Sequence, residues 1–193
     1  MLLWHGGQFT FPPVSGVELR HARGLLDGSP ISPAFEYQKS FMVHAACADL
    51  FRYEVLLQHG GAYADLDVMP LRLPVEVPPE PRFEQDRRRS LEIRFLAAPA
   101  GHELMRALRD EAVRQEAAFV AQGGYRTILD LKNVLERTGP RMAARVARAW
   151  AKERGVPYGR LLLPRVVNAN TRENRREHYS RRWADVHSRL TPK

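Results

Sequence analysis

The segment 45–71 constrains the fold of this chain most. Residues 45–58 contain no glycine or proline, and four apolar residues recur there at helical spacing: Ala46, Leu50, Tyr53 and Leu57. This pattern predicts a helix with one side in the core. Gly60-Gly61 follows at once, as is typical of a helix C-terminus. Residues 62–71 are then expected to form a short strand that carries Asp65 and Asp67 and is closed by Pro70.

Two carboxylates stand at positions i and i+2 of this strand. Side chains with that spacing lie on the same side of an extended segment, so we expect Asp65 and Asp67 to converge. Neighbouring negative charges repel unless a cation lies between them. Carboxylate oxygens suit Mg²⁺ or Mn²⁺, and such a metal can neutralise a diphosphate leaving group. A lone D-x-D also arises by chance as an acidic surface turn.

The preceding helix adds a second pair of charges. Asp49 and Arg52 are three residues apart and therefore share a helix face. A buried charged pair is costly unless its partners compensate for lost water. Two interpretations stay open, a salt bridge that orients the helix and a pair that accepts and donates hydrogen bonds to a polar ligand. Gly61 leaves room for a ligand to approach the backbone.

The rest of the chain alternates strands with helices. Further strands are predicted at 1–4, 16–21, 91–98 and 160–167, and further helices at 101–121, 126–137 and 141–154. Loops are predicted at 27–33 and 74–89. This order indicates an α/β fold in a single domain, 1–193, that ends in a basic tail, 168–193.

Composition narrows the partners and the compartment. The net charge is +8, which attracts anionic ligands such as nucleotide diphosphates, anionic lipids or nucleic acid, although many arginines are explained equally well as a solubilising surface. The chain has no apolar run of ~20 residues and no basic region at its start, so we expect neither a membrane span nor an export signal. The one cysteine, Cys47, fits a reducing compartment. We therefore expect a cytoplasmic protein and leave open a peripheral contact with the inner membrane surface.

The segment 48–67 resembles the DXD-containing glycosyltransferases, a group with yeast mannosyltransferases, α-1,4-galactosyltransferases and the large clostridial glucosylating toxins. The family pattern is matched at ten positions: Ala48, Asp49, Leu50, Arg52, Tyr53, Gly60, Gly61, Tyr63, Asp65 and Asp67. Weaker similarity continues in 93–108, in Thr138-Gly139-Pro140 and in 178–183. Arg94 and Arg182 stand where the family often has asparagine and serine.

The resemblance implies a GT-A-like fold, in which helices flank a mixed sheet. The N-terminal, nucleotide-binding part, 1–39, would be shortened, and 40–73 would form the DXD core. Asp67 would bind Mn²⁺ or Mg²⁺, and Asp65 would contact the metal, ribose or sugar. Asp49 and Arg52 would bind hydroxyls of the donor sugar, and Tyr63 would lie near the base or ribose. Three tail residues would close over the metal and diphosphate: His178, Ser180 and Trp183.

The activity implied is metal-dependent, retaining transfer of a hexose or hexosamine in glycan or polysaccharide synthesis. The donor would be a UDP- or GDP-sugar, and the acceptor a glycan, a lipid-linked molecule or a protein; no nucleic-acid partner is expected. One alternative is an inactive nucleotide-sugar binder, because only 48 residues precede Asp49. Another is a basic, non-enzymatic binder of anionic ligands. A haloacid-dehalogenase-type phosphohydrolase fits poorly, because its D-x-D follows a first apolar strand.

Overall fold

A computed structural model describes residues 2–5, 18–65, 68–70, 77–85, 90–126, 130, 133–163 and 167–169. The strands are β1 Leu2–His5, β2 Glu18–His21, β3 Gly61–Ala64, β4 Val68–Pro70, β5 Arg82–Gln85, β6 Leu91–Ala98 and β7 Val167–Ala169. The helices are α1 Arg23–Leu26, α2 Ser32–Ser40, α3 His44–His59, α4 Glu103–Ala121, α5 Val134–Arg137 and α6 Pro140–Glu153, followed by the 3-10 turn Tyr158–Leu161.

The strands pair in both directions. β6 lies between β3 and β5 and is antiparallel to each. β1 and β2 are parallel, whereas β4 and β7 are antiparallel. A single parallel bridge joins Phe83 of β5 to Leu162. The predicted fold class, an α/β fold with a mixed set of strands and flanking helices, is confirmed.

The helix predicted at 45–58 is α3, and its core face is the expected one. Ala46, Leu50 and Tyr53 are fully buried and Leu57 nearly so. Leu50, Tyr53 and Leu57 pack in the main core with the buried residues of β6, α4 and α6, whereas Ala46 packs in a second buried cluster with Val43, Tyr125 and Val134. α4 contributes the stripe predicted for it: Leu104, Leu108 and Ala112. Burial of these apolar faces against one another holds α3 against the central strands.

Gly60 makes the corner between α3 and β3. Its φ of 65° lies in the left-handed region, and a Cβ there would stand 2.5 Å from the backbone nitrogen of Ala100. Both features require glycine. The Gly101 amide donates to the Leu57 carbonyl at 2.7 Å, which ties the end of β6 to the last turn of α3. The chain therefore enters β3 along a fixed path, and Asp65 follows directly after that strand.

Several predicted boundaries were wrong. The loop predicted at 27–33 ends earlier, because α2 begins at Ser32 with Pro33 in its first turn, where proline is tolerated. The loop predicted at 74–89 contains β5, which gains its hydrogen bonds from β6. The strand predicted at 62–71 is two strands, β3 and β4. Residues 160–161 belong to the 3-10 turn. In 126–137, Asp130 and Val134–Arg137 are helical, whereas 127–129 and 131–132 lie outside the described residues.

The strands predicted at 1–4, 16–21 and 91–98 and the helices at 101–121 and 141–154 are all present, each to within two residues at either end. Among the described helices, none is long and apolar enough to cross a membrane.

Candidate functional site

Arg52 lies at the centre of the candidate site. Its Nη2 atom is 3.1 Å from Asp49 Oδ1 and 3.3 Å from Asp65 Oδ1, so one guanidinium joins two carboxylates. Its Nε donates to the Ala48 carbonyl at 3.2 Å, and its Nη1 donates to the carbonyl of Ile93 on β6. The Arg52 side chain is only 4% exposed. The contact predicted between Asp49 and Arg52 is therefore present, and it extends to the D-x-D.

Asp65 is held on one side and accessible on the other. The Tyr63 hydroxyl donates to Asp65 Oδ1 at 3.0 Å, and the Tyr63 ring lies 4.7 Å from the Arg52 guanidinium carbon in a cation–π contact. The Asp65 amide donates to the Arg94 carbonyl at 2.9 Å. The Asp65 side chain is 25% exposed. We call Asp49, Arg52, Tyr63 and Asp65 the site cluster.

Burial changes the acid–base properties of this cluster. It raises the pKa of Asp49 to about 6, against the opposing effects of Arg52 and of a hydrogen bond from Thr138. Burial also raises the pKa of Tyr63, which keeps its hydroxyl protonated as a donor. For Arg52, burial by itself lowers the pKa, but the nearby Asp49, Tyr63, Asp65 and Tyr53 together outweigh it, and the net pKa is raised. Near neutral pH, Asp49 and Arg52 therefore form a charged pair.

The chemistry of Asp65 suits a divalent cation. Its contacts with Arg52 and Tyr63 both use Oδ1, and neither uses Oδ2. Carboxylate oxygens are ligands that Mg²⁺ and Mn²⁺ prefer. Among the described residues, no group of three or more His, Cys, Asp or Glu is arranged to hold a metal ion. Asp67, the other predicted ligand, lies outside those residues.

Some of the remaining residues singled out from the sequence lie in the described part of the chain, and others lie outside it. Gly61 begins β3 with a φ of 95°, and a Cβ built there would meet no atom within 4 Å, so the space beside it is open. The guanidinium of Arg94 pairs with Glu84 at 3.0 Å and not with a member of the site cluster. The predicted tail residues lie outside the described part of the chain: His178, Ser180 and Trp183. Their roles stay predictions.

Sequence reasoning missed a second buried polar group, which we call the anchor cluster: Gln38, Glu116, Tyr125 and Arg137. Arg137 Nε is 2.8 Å from Glu116 Oε1, and its Nη2 donates to the Tyr125 hydroxyl at 2.8 Å. Gln38 donates to Glu116 and accepts from Tyr125. One signal was available, because Glu116 stands four residues beyond Ala112 and so continues the apolar stripe of α4.

Residues 21–84 match the family described as "Glycosyltransferase sugar-binding region containing DXD motif". This range contains α3, β3 and every member of the site cluster. Residues 21–84 are thus similar to a glycosyltransferase sugar-binding region, and the resemblance drawn from residues 48–67 is confirmed.

Solved structures with a similar fold are glycosyltransferase domains of toxins. "PaToxG Glycosyltransferase" shares 17% sequence identity at a TM-score of 0.52, over 89% of this chain and 64% of that one. The UDP-bound glycosyltransferase domain from the YGT toxin shares 15% identity at a TM-score of 0.57, over 83% of this chain and 55% of that one. At such identities the likeness establishes the fold. The chain spans somewhat over half the length of these domains. No curated protein matches its sequence.

Proposed function

We propose that this chain is a metal-dependent, retaining glycosyltransferase that moves a hexose or hexosamine from a nucleotide sugar to an acceptor. The observation that carries the proposal is the single guanidinium of Arg52, which holds Asp49 of α3 and Asp65 of the D-x-D together. A motif that arose by chance on a surface turn would have no reason to be fixed by a buried arginine and by Tyr63.

Arg52 and Tyr63 act on Asp65 by fixing its orientation. Both contact Oδ1, which leaves Oδ2 as the oxygen that would bind the metal. Asp65 and Asp67 would hold the Mn²⁺ or Mg²⁺. When bound, that ion would supply neutralisation of the charge that develops on the leaving diphosphate.

Asp49 and Arg52 would orient the donor sugar. Their side chains are largely buried, so we propose that they reach the donor only at the inner end of the site, where Asp49 accepts and Arg52 donates. A sugar held in one pose next to the metal reacts faster because the entropic cost of alignment has already been met. No protein nucleophile is assigned.

The donor is proposed to be a UDP- or GDP-sugar, and the similarity in fold to a UDP-bound glycosyltransferase domain supports uridine. The acceptor is a glycan, a lipid-linked molecule or a protein. A role in glycan or polysaccharide synthesis and a cytoplasmic location, with or without contact to the inner membrane surface, remain predictions from the sequence.

The test is donor binding and donor hydrolysis with UDP- and GDP-sugars, with and without Mn²⁺. We expect Asp67→Asn to lower Mn²⁺-dependent hydrolysis by at least about a hundredfold, because a metal contributes several kcal/mol to leaving-group stabilisation. Asp110→Asn is the matched control, since Asp110 is exposed on α4 and pairs with Arg109.

Full activity of Asp67→Asn would show the site assignment to be wrong. Metal-dependent binding without turnover in the wild-type protein would instead indicate an inactive nucleotide-sugar binder. DNA binding that persists in Asp65→Asn and Asp67→Asn, without nucleotide-sugar binding, would favour a basic binder of anionic ligands.

A further inference from the structure

Thr138 lies fully buried between α5 and α6 and is not part of the site cluster. Its hydroxyl is 3.0 Å from Asp49 Oδ2, whereas Arg52 contacts Oδ1 of the same carboxylate. Both oxygens of Asp49 are therefore held, each by a different element. A carboxylate fixed at both oxygens has one orientation toward anything bound beside it.

The hydroxyl of Thr138 has one hydrogen and two acceptors within reach. The Val134 carbonyl is 3.4 Å away and the Asp49 carboxylate is 3.0 Å away. A charged acceptor at the shorter distance gives the stronger hydrogen bond, so the hydrogen is directed to Asp49.

α3 also holds the backbone of the same residue. The Tyr53 hydroxyl donates to the Thr138 carbonyl at 2.7 Å. Tyr53 stands one turn after Asp49 on α3 and is fully buried. The helix thus contacts Thr138 at two points, through its side chain and through its main chain.

The anchor cluster fixes the residue before Thr138. In addition to Glu116 and Tyr125, the Arg137 guanidinium donates to the Asp130 carbonyl at 3.0 Å and lies 3.7 Å from the centre of the Phe119 ring. Glu116 belongs to α4 and Gln38 to α2, so Arg137 ties the end of α5 to two other helices. The main chain at residue 138 therefore has little freedom to move away from α3.

We infer that Thr138 is a positioning residue for Asp49 of the donor site and that the anchor cluster holds Thr138 in place. The inference rests on the proposed function for its effect on the donor. Loss of the hydroxyl would leave Asp49 Oδ2 without this donor and would free the carboxylate to turn. The hydrogen bond from Thr138 also opposes the rise in the pKa of Asp49 that burial causes.

The experiment compares Thr138→Val, Thr138→Ser and Tyr53→Phe in the full chain. The first readout is the titration midpoint of the Asp49 carboxyl, followed by carbon NMR without donor and assigned with Asp49→Asn. Apart from Tyr53, five titratable or charged groups interact with Asp49, and the Thr138 variants keep all of them: Cys47, Arg52, Tyr63, Asp65 and Glu116. Tyr53 is a sixth such group, and it is changed only in Tyr53→Phe.

Thr138→Val should raise the midpoint by roughly half a unit to one unit, because the lost hydrogen bond stabilises the charged carboxylate more than the protonated carboxyl. Thr138→Ser should restore it. Tyr53→Phe, which keeps both side chains on Asp49, should shift it in the same direction by less, and it serves as the test if Thr138→Val does not fold. Ser29→Ala removes another buried hydroxyl, one that contacts Ile31, and should leave the midpoint unchanged.

The second readout is the affinity for the UDP- or GDP-sugar at pH 7.5. We expect it to fall about three- to tenfold in Thr138→Val and to recover in Thr138→Ser. An unchanged Asp49 midpoint in a folded Thr138→Val, or a Thr138→Ser that behaves like it, would overturn the inference. A shifted midpoint in a protein that binds no donor would support the positioning of Asp49 and overturn the proposed function alone.

Discussion

The site cluster and the anchor cluster use the same chemistry in opposite ways. Each has a buried arginine that pairs with a carboxylate and lies near an aromatic ring. Each also includes a tyrosine whose hydroxyl forms a hydrogen bond within the cluster. In the anchor cluster, Glu116 is fully buried and its partners belong to the protein. In the site cluster, Asp65 remains partly exposed and offers an oxygen outward. The difference indicates that the anchor cluster contributes to stability and the site cluster to binding.

Arg137→Met tests the structural half of this comparison and should have the largest effect. It leaves Glu116 buried without its charged partner, so we expect the free energy of unfolding to fall by about 3–5 kcal/mol. Urea denaturation measures the loss. Arg141→Met is the matched control, because Arg141 pairs with Glu136 at an exposed position and should cost no more than about 1 kcal/mol. Equal losses in the two variants would mean that the anchor cluster does not stabilise the fold.

Asp49→Asn tests the site cluster through the pH dependence of stability. The pKa of Asp49 is raised to about 6 in the folded protein, so between about pH 4 and 6 the folded state binds its proton more tightly than the unfolded state. The contribution of Asp49 to stability is thus largest at low pH and is lost as pH rises through 6. Asn cannot titrate. The stability of Asp49→Asn relative to wild type should therefore improve by about 2–3 kcal/mol from pH 4 to pH 7.

Denaturation of both proteins at several pH values measures this difference. A difference between the two proteins that stays constant with pH would show that Asp49 is charged throughout and that Arg52 fully offsets its burial.

Tyr63→Phe should have the smallest effect and should appear in binding. The variant keeps the ring beside Arg52 and loses only the hydrogen bond to Asp65, so we expect Mn²⁺-dependent donor affinity to weaken by about 0.5–1.5 kcal/mol. Tyr158→Phe is the control, since Tyr158 contacts Arg148. A binding curve for Tyr63→Phe that matches wild type would mean that Arg52 alone orients Asp65.

The sequence predicted the features that depend on residues close together along the chain. The spacing of Leu50, Tyr53 and Leu57 predicted the buried face of α3, and the interval from Asp49 to Arg52 predicted their contact. β5 was missed because residues 82–85 contain a single apolar residue, Phe83, in a proline- and charge-rich stretch, and the strand depends on its pairing with β6. The link from Thr138 to Asp49 was missed because 89 positions separate the two residues, which is beyond any local pattern.

The corner at Gly60 has a consequence for protein engineering. Ala98, Pro99 and Ala100 occupy the space that any side chain at position 60 would need. The DXD segment therefore cannot be transferred to another protein by itself. A graft of residues 44–65 into another scaffold would have to include the connection between β6 and α4. Without that connection, the path of the chain at Gly60 would change and Asp65 would be misplaced.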